Sequence, residues 1–219
     1  MSFKTRTIGE IAATTPGATA VFRKHKLDFC CGGNVLLTEA AERRGVNIVD
    51  LEQSLAALAA SDAAAPVEQG SAELIDHIIS RYHETHRREL PELIRLSTRV
   101  EKVHAEHPAV PRGLADVLKV MSAELEDHMQ KEEQILFPAM KMRDGFGLNA
   151  PISMMRHEHD GHGEQLARVD ELTNGATPPA DACRSWQALY TGIAKLTHDV
   201  TEHIHLENNV LFPRFEQLA

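Results

Sequence analysis

Apolar residues recur at i, i+3 and i+4 over two long stretches of the chain, as in Leu114, Val117, Leu118, Met121 and Leu125. That spacing marks one buried face of an α-helix. Strand-like alternation is scarce, so the pattern predicts an all-α fold. It predicts a helix from Ser71 to about Glu106, a proline-bearing turn over His107–Gly113 and a return helix from about Leu114 through Glu132. A second pair follows: a helix through His159, a turn over Thr173–Pro179 and a return helix from about Asp181 past His203. Long helices joined by short turns form a four-helix bundle. Ahead of them, Thr7-Ile8-Gly9-Glu10 has the form of a capping box, Pro16 can open a second helix, and Asn47–Leu58 is amphipathic. The segment from Ala60 to Ser71 is small and polar and is broken by Pro66 and Gly70. The expected organisation is a small helical domain over residues 1–60, a linker over 61–71 and the bundle over 72–219.

Polar positions within the helices repeat. His128–Pro138 and His203–Pro213 both read H-x3-E-x4-F-P, 75 residues apart, and His83-Glu84-Thr85-His86 resembles His159-Asp160-Gly161-His162 at an offset of 76. The duplicated unit is therefore a helix pair. A His and a Glu four residues apart lie on one helix face, so each copy presents an imidazole and a carboxylate in one direction. His83 and His104 are 21 residues apart, ~31 Å along one helix, and cannot share a site. The return helices bring His128 and Glu132 level with His83, and His203 and Glu207 level with His159. The candidate metal site is His83, His128, Glu132, His159, His203 and Glu207. Four imidazoles and two carboxylates suit iron, zinc or copper, and the lack of thiolates argues against structural zinc. Two bridging Glu and two His per metal leave room for a solvent-derived bridge and a small ligand, which suits redox-active iron. Neither His83-Glu84-Thr85-His86 nor the His157 segment has the H-E-x-x-H spacing of a zinc protease. His86 and His162 are read as outer partners of the site or solvent-facing, with replacement of a ligand as the alternative, and Glu133 and Glu158 as added charge, proton relays or surface ion pairs. His104 is placed at the far mouth of the bundle. His77, His107, His157, His198 and His205 are placed on helix surfaces or ends, and Phe137 and Phe212 in the core.

Composition narrows the classes. Of 219 residues, 42% are hydrophobic, enough for a globular core, and the net charge of −9 is spread along the helices, which gives no footprint for nucleic acid or an anionic membrane. There is no run of ~20 apolar residues and no leader-like stretch at Met1–Arg6, so a cytoplasmic location is expected. The chain has three Cys, two of them adjacent, which is no secreted disulfide framework. The pair lies in Asp28-Phe29-Cys30-Cys31-Gly32-Gly33, ahead of a helical pattern from about Val35. A thiol at a helix N-terminus has a lowered pKa, so Cys30 and Cys31 are candidates for thiol chemistry, against the alternative of two small buried residues beside a turn.

Over essentially its full length the chain resembles the iron-sulfur cluster repair di-iron proteins, the repair-of-iron-centres family. The resemblance rests on Asp28–Gly33, Asp76–His83, Leu90-Pro91-Glu92-Leu93, Glu158-His159-Asp160 and the two H-x3-E-x4-F-P blocks. It implies an ScdA-type N-terminal domain followed by a hemerythrin-like bundle holding two iron ions, oxo- or hydroxo-bridged, on His83, His128, His159 and His203 with Glu132 and Glu207 bridging. It implies restoration of iron-sulfur clusters damaged by nitric oxide or oxidants, with damaged iron-sulfur proteins or a cluster-assembly scaffold as iron acceptors. Cys30 and Cys31 match the family's vicinal pair, proposed for nitrosyl or thiol chemistry, which leaves an NO-processing or nitrosyl-transfer activity open. A hemerythrin-like sensor or scavenger of NO or O2 is the alternative. A homodimer is also left open.

Overall fold

The computed structural model describes residues 3–58, 70–142 and 147–216. All of its regular elements are helical. They are α1 (Ile8–Thr14), α2 (Ala18–Lys24), α3 (Leu37–Arg44), α4 (Ile48–Leu58), α5 (Ser71–Ile78), α6 (Glu84–Val103), α7 (Leu114–Lys131), α8 (Phe137–Lys141), α9 (Asn149–Thr173), α10 (Arg184–His205) and α11 (Pro213–Glu216). Three wider π turns continue them: π1 (Ile79–His83), π2 (Glu132–Leu136) and π3 (Leu206–Leu211). Among the described residues no helix is long and apolar enough to cross a membrane. Most of the expected 61–71 linker lies outside the described residues, and Ser71 already opens α5.

The contacts divide the chain into two compact units, one of Met1–Ile75, Met140–Arg156 and Thr201–Ala219, the other of Asp76–Ala139 and His157–Val200. In the first, α1 to α4 surround Ile8, Ile11, Phe22, Phe29, Leu37, Leu51 and Leu55. The Thr7 capping box forms as expected, with both reciprocal bonds made. Asn47 caps α4 through the Val49 N–H at 2.9 Å. Pro16 does not open α2; Gly17, in the left-handed region at φ 84°, precedes it. The chain between α2 and α3 is held by Ile8 N–H to the Val35 carbonyl (2.9 Å) and Gly9 N–H to the Gly33 carbonyl (2.8 Å). In the same unit α1 packs on π3, and Arg23 pairs with Glu202.

In the second unit α6 and α7 pack as an antiparallel pair. Gly113, at φ 88°, precedes α7 and has no side chain to cap it. Glu101 of α6 does so instead, accepting from Gly113 N–H (3.2 Å) and Ala115 N–H (2.8 Å), which puts a carboxylate on orphan donors at the positive end of the helix. His104 sits here too, with its ring centroid 4.9 Å from that of Trp186 and its Nε2 3.2 Å from Cys183 Sγ.

Candidate functional site: buried histidines and glutamates

Each motif Glu sits in a π turn. The Phe137 N–H bonds to the Glu132 carbonyl and the Phe212 N–H to the Glu207 carbonyl, so E-x4-F is the i→i+5 bond that defines such a turn. The next residue is Pro138 or Pro213, which has no N–H to donate and whose ring crowds the carbonyl one turn back. A wider turn ahead of it relieves that crowding. π1 ends on His83. Three of the six candidate ligands thus lie in helix distortions that the apolar periodicity did not predict, although the paired prolines were the visible sign of the two at Glu132 and Glu207.

Within the second unit, His83, His128, Glu132 and His159 are all buried. The His83 Nδ1–H donates to Glu133 Oε1 at 2.7 Å, and the His128 Nδ1–H donates to Glu158 Oε2 at 2.8 Å. A carboxylate only accepts, so these bonds fix the tautomer and leave the lone pair on Nε2 of both rings. His83 Nε2 lies 3.4 Å from Glu132 Oε2, His128 Nε2 3.5 Å from Glu132 Oε1, and His159 Nε2 3.1 Å from His128 Nε2. Lone pairs and carboxylate oxygens converge away from water, an arrangement that a cation satisfies. Carboxylate-oriented imidazoles are also the usual outer arrangement of a histidine metal site.

Those outer carboxylates are held ionised. Glu158 is drawn down to about 2 by the bond from His128, with Lys131 (2.8 Å) adding to it against burial. At Glu133 burial raises the carboxyl, but the bonds from Arg87 and His83 outweigh it and the net shift is downward. The surface ion-pair reading of these two residues is therefore incomplete, since each also orients a histidine. Phe137 is not only core, because its ring lies near-parallel to His83, with centroids 5.9 Å apart. His86 and His162 are buried, which excludes the solvent-facing alternative. A cleft of about 420 Å³ has His162 in its wall together with Lys131, Glu158 and Gly161.

In the first unit, His203 Nε2 lies 3.0 Å from Glu207 Oε1, and both side chains are buried. Asn208 donates to the Cys30 carbonyl and Asn209 to the Phe29 carbonyl, each at 2.9 Å. His205 was expected at a surface or end. It is instead buried edge-on against Phe29, with ring centroids 5.4 Å apart, and burial pushes it down to about 4. The expected helix-end thiolate is also corrected. α3 begins at Leu37, six residues beyond Cys31, and the Cys30 thiol is pushed well above its ordinary value by its bond with the Cys31 thiol, then by burial and the charge of Asp28.

Two groups of buried side chains have ligand atoms all within 4.8 Å of one another: His83, Glu132, His203 and Glu207, and His128, Glu132, His159 and Glu207. Both glutamates belong to both groups. His104 belongs to neither.

A model of the hemerythrin HHE cation-binding domain matches residues 74–215, and one described as a domain of unknown function (DUF542, ScdA_N) matches residues 4–59. The iron-sulfur cluster repair protein YtfE of Citrobacter koseri is 49% identical over 219 residues, which cover 98% of each chain. Proteins of the same name from Escherichia coli and Cronobacter sakazakii are 48% identical, covering 98% of this chain and 98% and 97% of theirs. The cation-binding match and the two buried clusters together indicate a di-metal site.

Proposed function

The chain belongs to the iron-sulfur cluster repair family, and from that premise we propose that it holds two iron ions and serves to restore damaged iron-sulfur clusters. The observation that carries this reading is the sharing of Glu132 and Glu207 by both buried clusters. On this reading Glu132 and Glu207 would help to hold both ions, with His83 and His203 completing one set of ligands and His128 and His159 the other. The donor set fits iron: imidazole and carboxylate are its usual nitrogen and oxygen ligands, and no thiolate biases the site toward zinc or copper(I). Bound there, iron supplies one-electron redox chemistry and a small-molecule coordination position.

The protein's own part is to orient and to insulate. Glu133 and Glu158 fix the Nε2 lone pairs of His83 and His128 inward and raise their basicity. Burial keeps bulk water from competing for the ligand atoms. Arg87 and Lys131 hold the two outer carboxylates in place from the solvent side. Iron given up to a damaged iron-sulfur protein or an assembly scaffold would be the cargo on this reading, and an external one-electron reductant, by lowering the charge on the ions, would weaken the hold of the two carboxylates. The cleft at Lys131 and His162 favours a second reading, a hemerythrin-like module that senses or scavenges NO or O2.

The test is metal analysis and Mössbauer spectroscopy on protein from iron-replete cells, alongside Glu132→Ala/Glu207→Ala, followed by reactivation of an NO-inactivated iron-sulfur enzyme. Two coupled irons per chain, absent from the variant, together with reactivation that depends on them, support repair. Iron that survives the double substitution overturns the ligand set. Reversible gas binding without reactivation favours the second reading. Reduced protein that keeps both irons for hours against a strong ferrous chelator rules out iron donation.

A further inference from the structure

One other group of metal-ligating side chains converges among the described residues, and it lies outside the histidine clusters. Asp28, Cys30 and Cys31 have ligand atoms all within 4.8 Å of one another. The two Sγ atoms are 3.7 Å apart, far beyond the ~2.05 Å of a disulfide. Two thiolates sharing one tetrahedral cation at ~2.3 Å each stand ~3.7–3.8 Å apart. Cys30 Sγ lies 3.4 Å from Asp28 Oδ1, and a sulfur and a carboxylate oxygen on such an ion stand ~3.5 Å apart. Both spacings therefore match a single tetrahedral ion.

The loop is built to keep this spacing. The Cys31 N–H donates to Asp28 Oδ1 at 3.1 Å and aims the carboxylate back at the thiols. A side chain at Gly32 would meet the Asp28 carbonyl oxygen at 2.8 Å, so only glycine lets the turn close this far. Asn208 and Asn209 hold the Cys30 and Phe29 carbonyls from π3. Cys30 is buried while Cys31 is half-buried and Asp28 exposed, which leaves one side open for exchange.

We propose that Asp28, Cys30 and Cys31 form a three-ligand site for a thiophilic divalent cation such as ferrous iron or zinc, with its fourth tetrahedral position open to solvent. Binding replaces two thiol protons, which leave to water, with two metal–sulfur bonds and one metal–carboxylate bond, and no electron moves. Asn208, which anchors the loop, follows Glu207 directly. A cation on the thiols is thus tied to the same π turn that carries a candidate ligand of the di-metal site, as a loading or unloading station would be. The proposal does not depend on the di-iron reading, because the bundle ligands contain no sulfur.

The experiment uses full-length protein in a Cys183→Ser background, with iron loaded, thiols reduced and counted, and cobalt(II) titrated anaerobically. The expected result is one added cobalt per chain with a thiolate-to-cobalt charge-transfer band and tetrahedral visible bands. Cys30→Ser/Cys31→Ser should abolish both, and Asp28→Asn should weaken binding at least about tenfold. No thiolate band in folded protein with both thiols reduced, a band that persists in the double-serine protein, or indifference to Asp28→Asn overturns the site. Should the double-serine protein lose its helicity, stoichiometric zinc decides in the unsubstituted loop: slowed alkylation of Cys30 and Cys31 together supports the site, and unchanged alkylation overturns it.

Discussion

The two copies of H-x3-E-x4-F-P share a backbone and differ in almost everything around it. In both, the Glu carbonyl accepts the Phe N–H across a π turn, and the His and Glu side chains are buried. At corresponding positions, 75 residues apart, Gln130 is exposed where His205 is buried, and Glu133 bonds an imidazole where Asn208 bonds the Cys30 carbonyl. Ile135 is 67% exposed where Val210 is 2% exposed. The first copy turns its outer face to water and uses it for charged residues that orient histidines. The second copy carries α1 and the Cys30–Cys31 loop on that face. The ligand positions bind both copies to one geometry, while the rest of the helix circumference is free to take another task.

The largest effect should come from what the copies share. Glu132 belongs to both clusters and His159 to one, so Glu132→Ala should strip both irons while His159→Ala leaves about one per chain, read by metal analysis of folded protein. Equal losses from the two substitutions would mean that the glutamate is not shared. Next comes what they do not share. Val210→Asp buries a carboxylate in the packing of π3 and should cost at least about 3 kcal/mol, whereas Ile135→Asp at the matching position should stay within about 0.5 kcal/mol. Chemical denaturation of the two apoproteins measures both. A comparable loss at Ile135 would mean that the first copy also carries a packed partner.

Much of this was legible before the fold. The i, i+3, i+4 pattern placed α7 at Leu114, and helix rise alone separated His104 from His83. The duplication put six ligand candidates on paper, and their side chains fall in the two buried clusters. The π turns escaped because apolar periodicity averages over a helix and does not register one inserted residue. The role of Asn208 and Asn209 escaped because a polar pair on a helix reads as a solvated face, and what covers that face here, the 29–33 loop, lies far away in sequence. The Cys30 thiol was misjudged for a local reason. Its distance to the next helix start, at Leu37, is seven residues, while Asp28 and Cys31 stand against it.

A smaller effect tests the oriented histidines of the first copy. Glu158→Gln keeps the side-chain shape but weakens the bond to His128 Nδ1, so iron affinity should fall about 10- to 100-fold with helicity unchanged, measured by competition with a chelator of known strength. An unchanged affinity would return Glu158 to a surface ion pair with Lys131.

The smallest effect separates the turns just before each motif. Asp199, four residues ahead of His203, is buried and accepts from Arg81 at 2.7 and 3.2 Å and from Lys195 at 2.7 Å, with Glu89 also on Lys195. Its counterpart Glu124 is exposed and meets Gln165. Burial raises the Asp199 carboxyl, but Arg81 and Lys195 outweigh it and hold it below its ordinary value. A carboxyl lowered in the folded state stabilises the protein above the unfolded value of ~3.9 and loses that contribution as pH falls through the folded value. Asp199→Asn should therefore cost about 1 kcal/mol at neutral pH, because Arg81 and Lys195 are partly exposed and recover water. The cost should shrink toward zero below about pH 4. Glu124→Gln should leave the apoprotein's denaturation midpoint unchanged across that range. A pH-independent cost at Asp199 would mean that its side chain contributes through packing rather than through its charge.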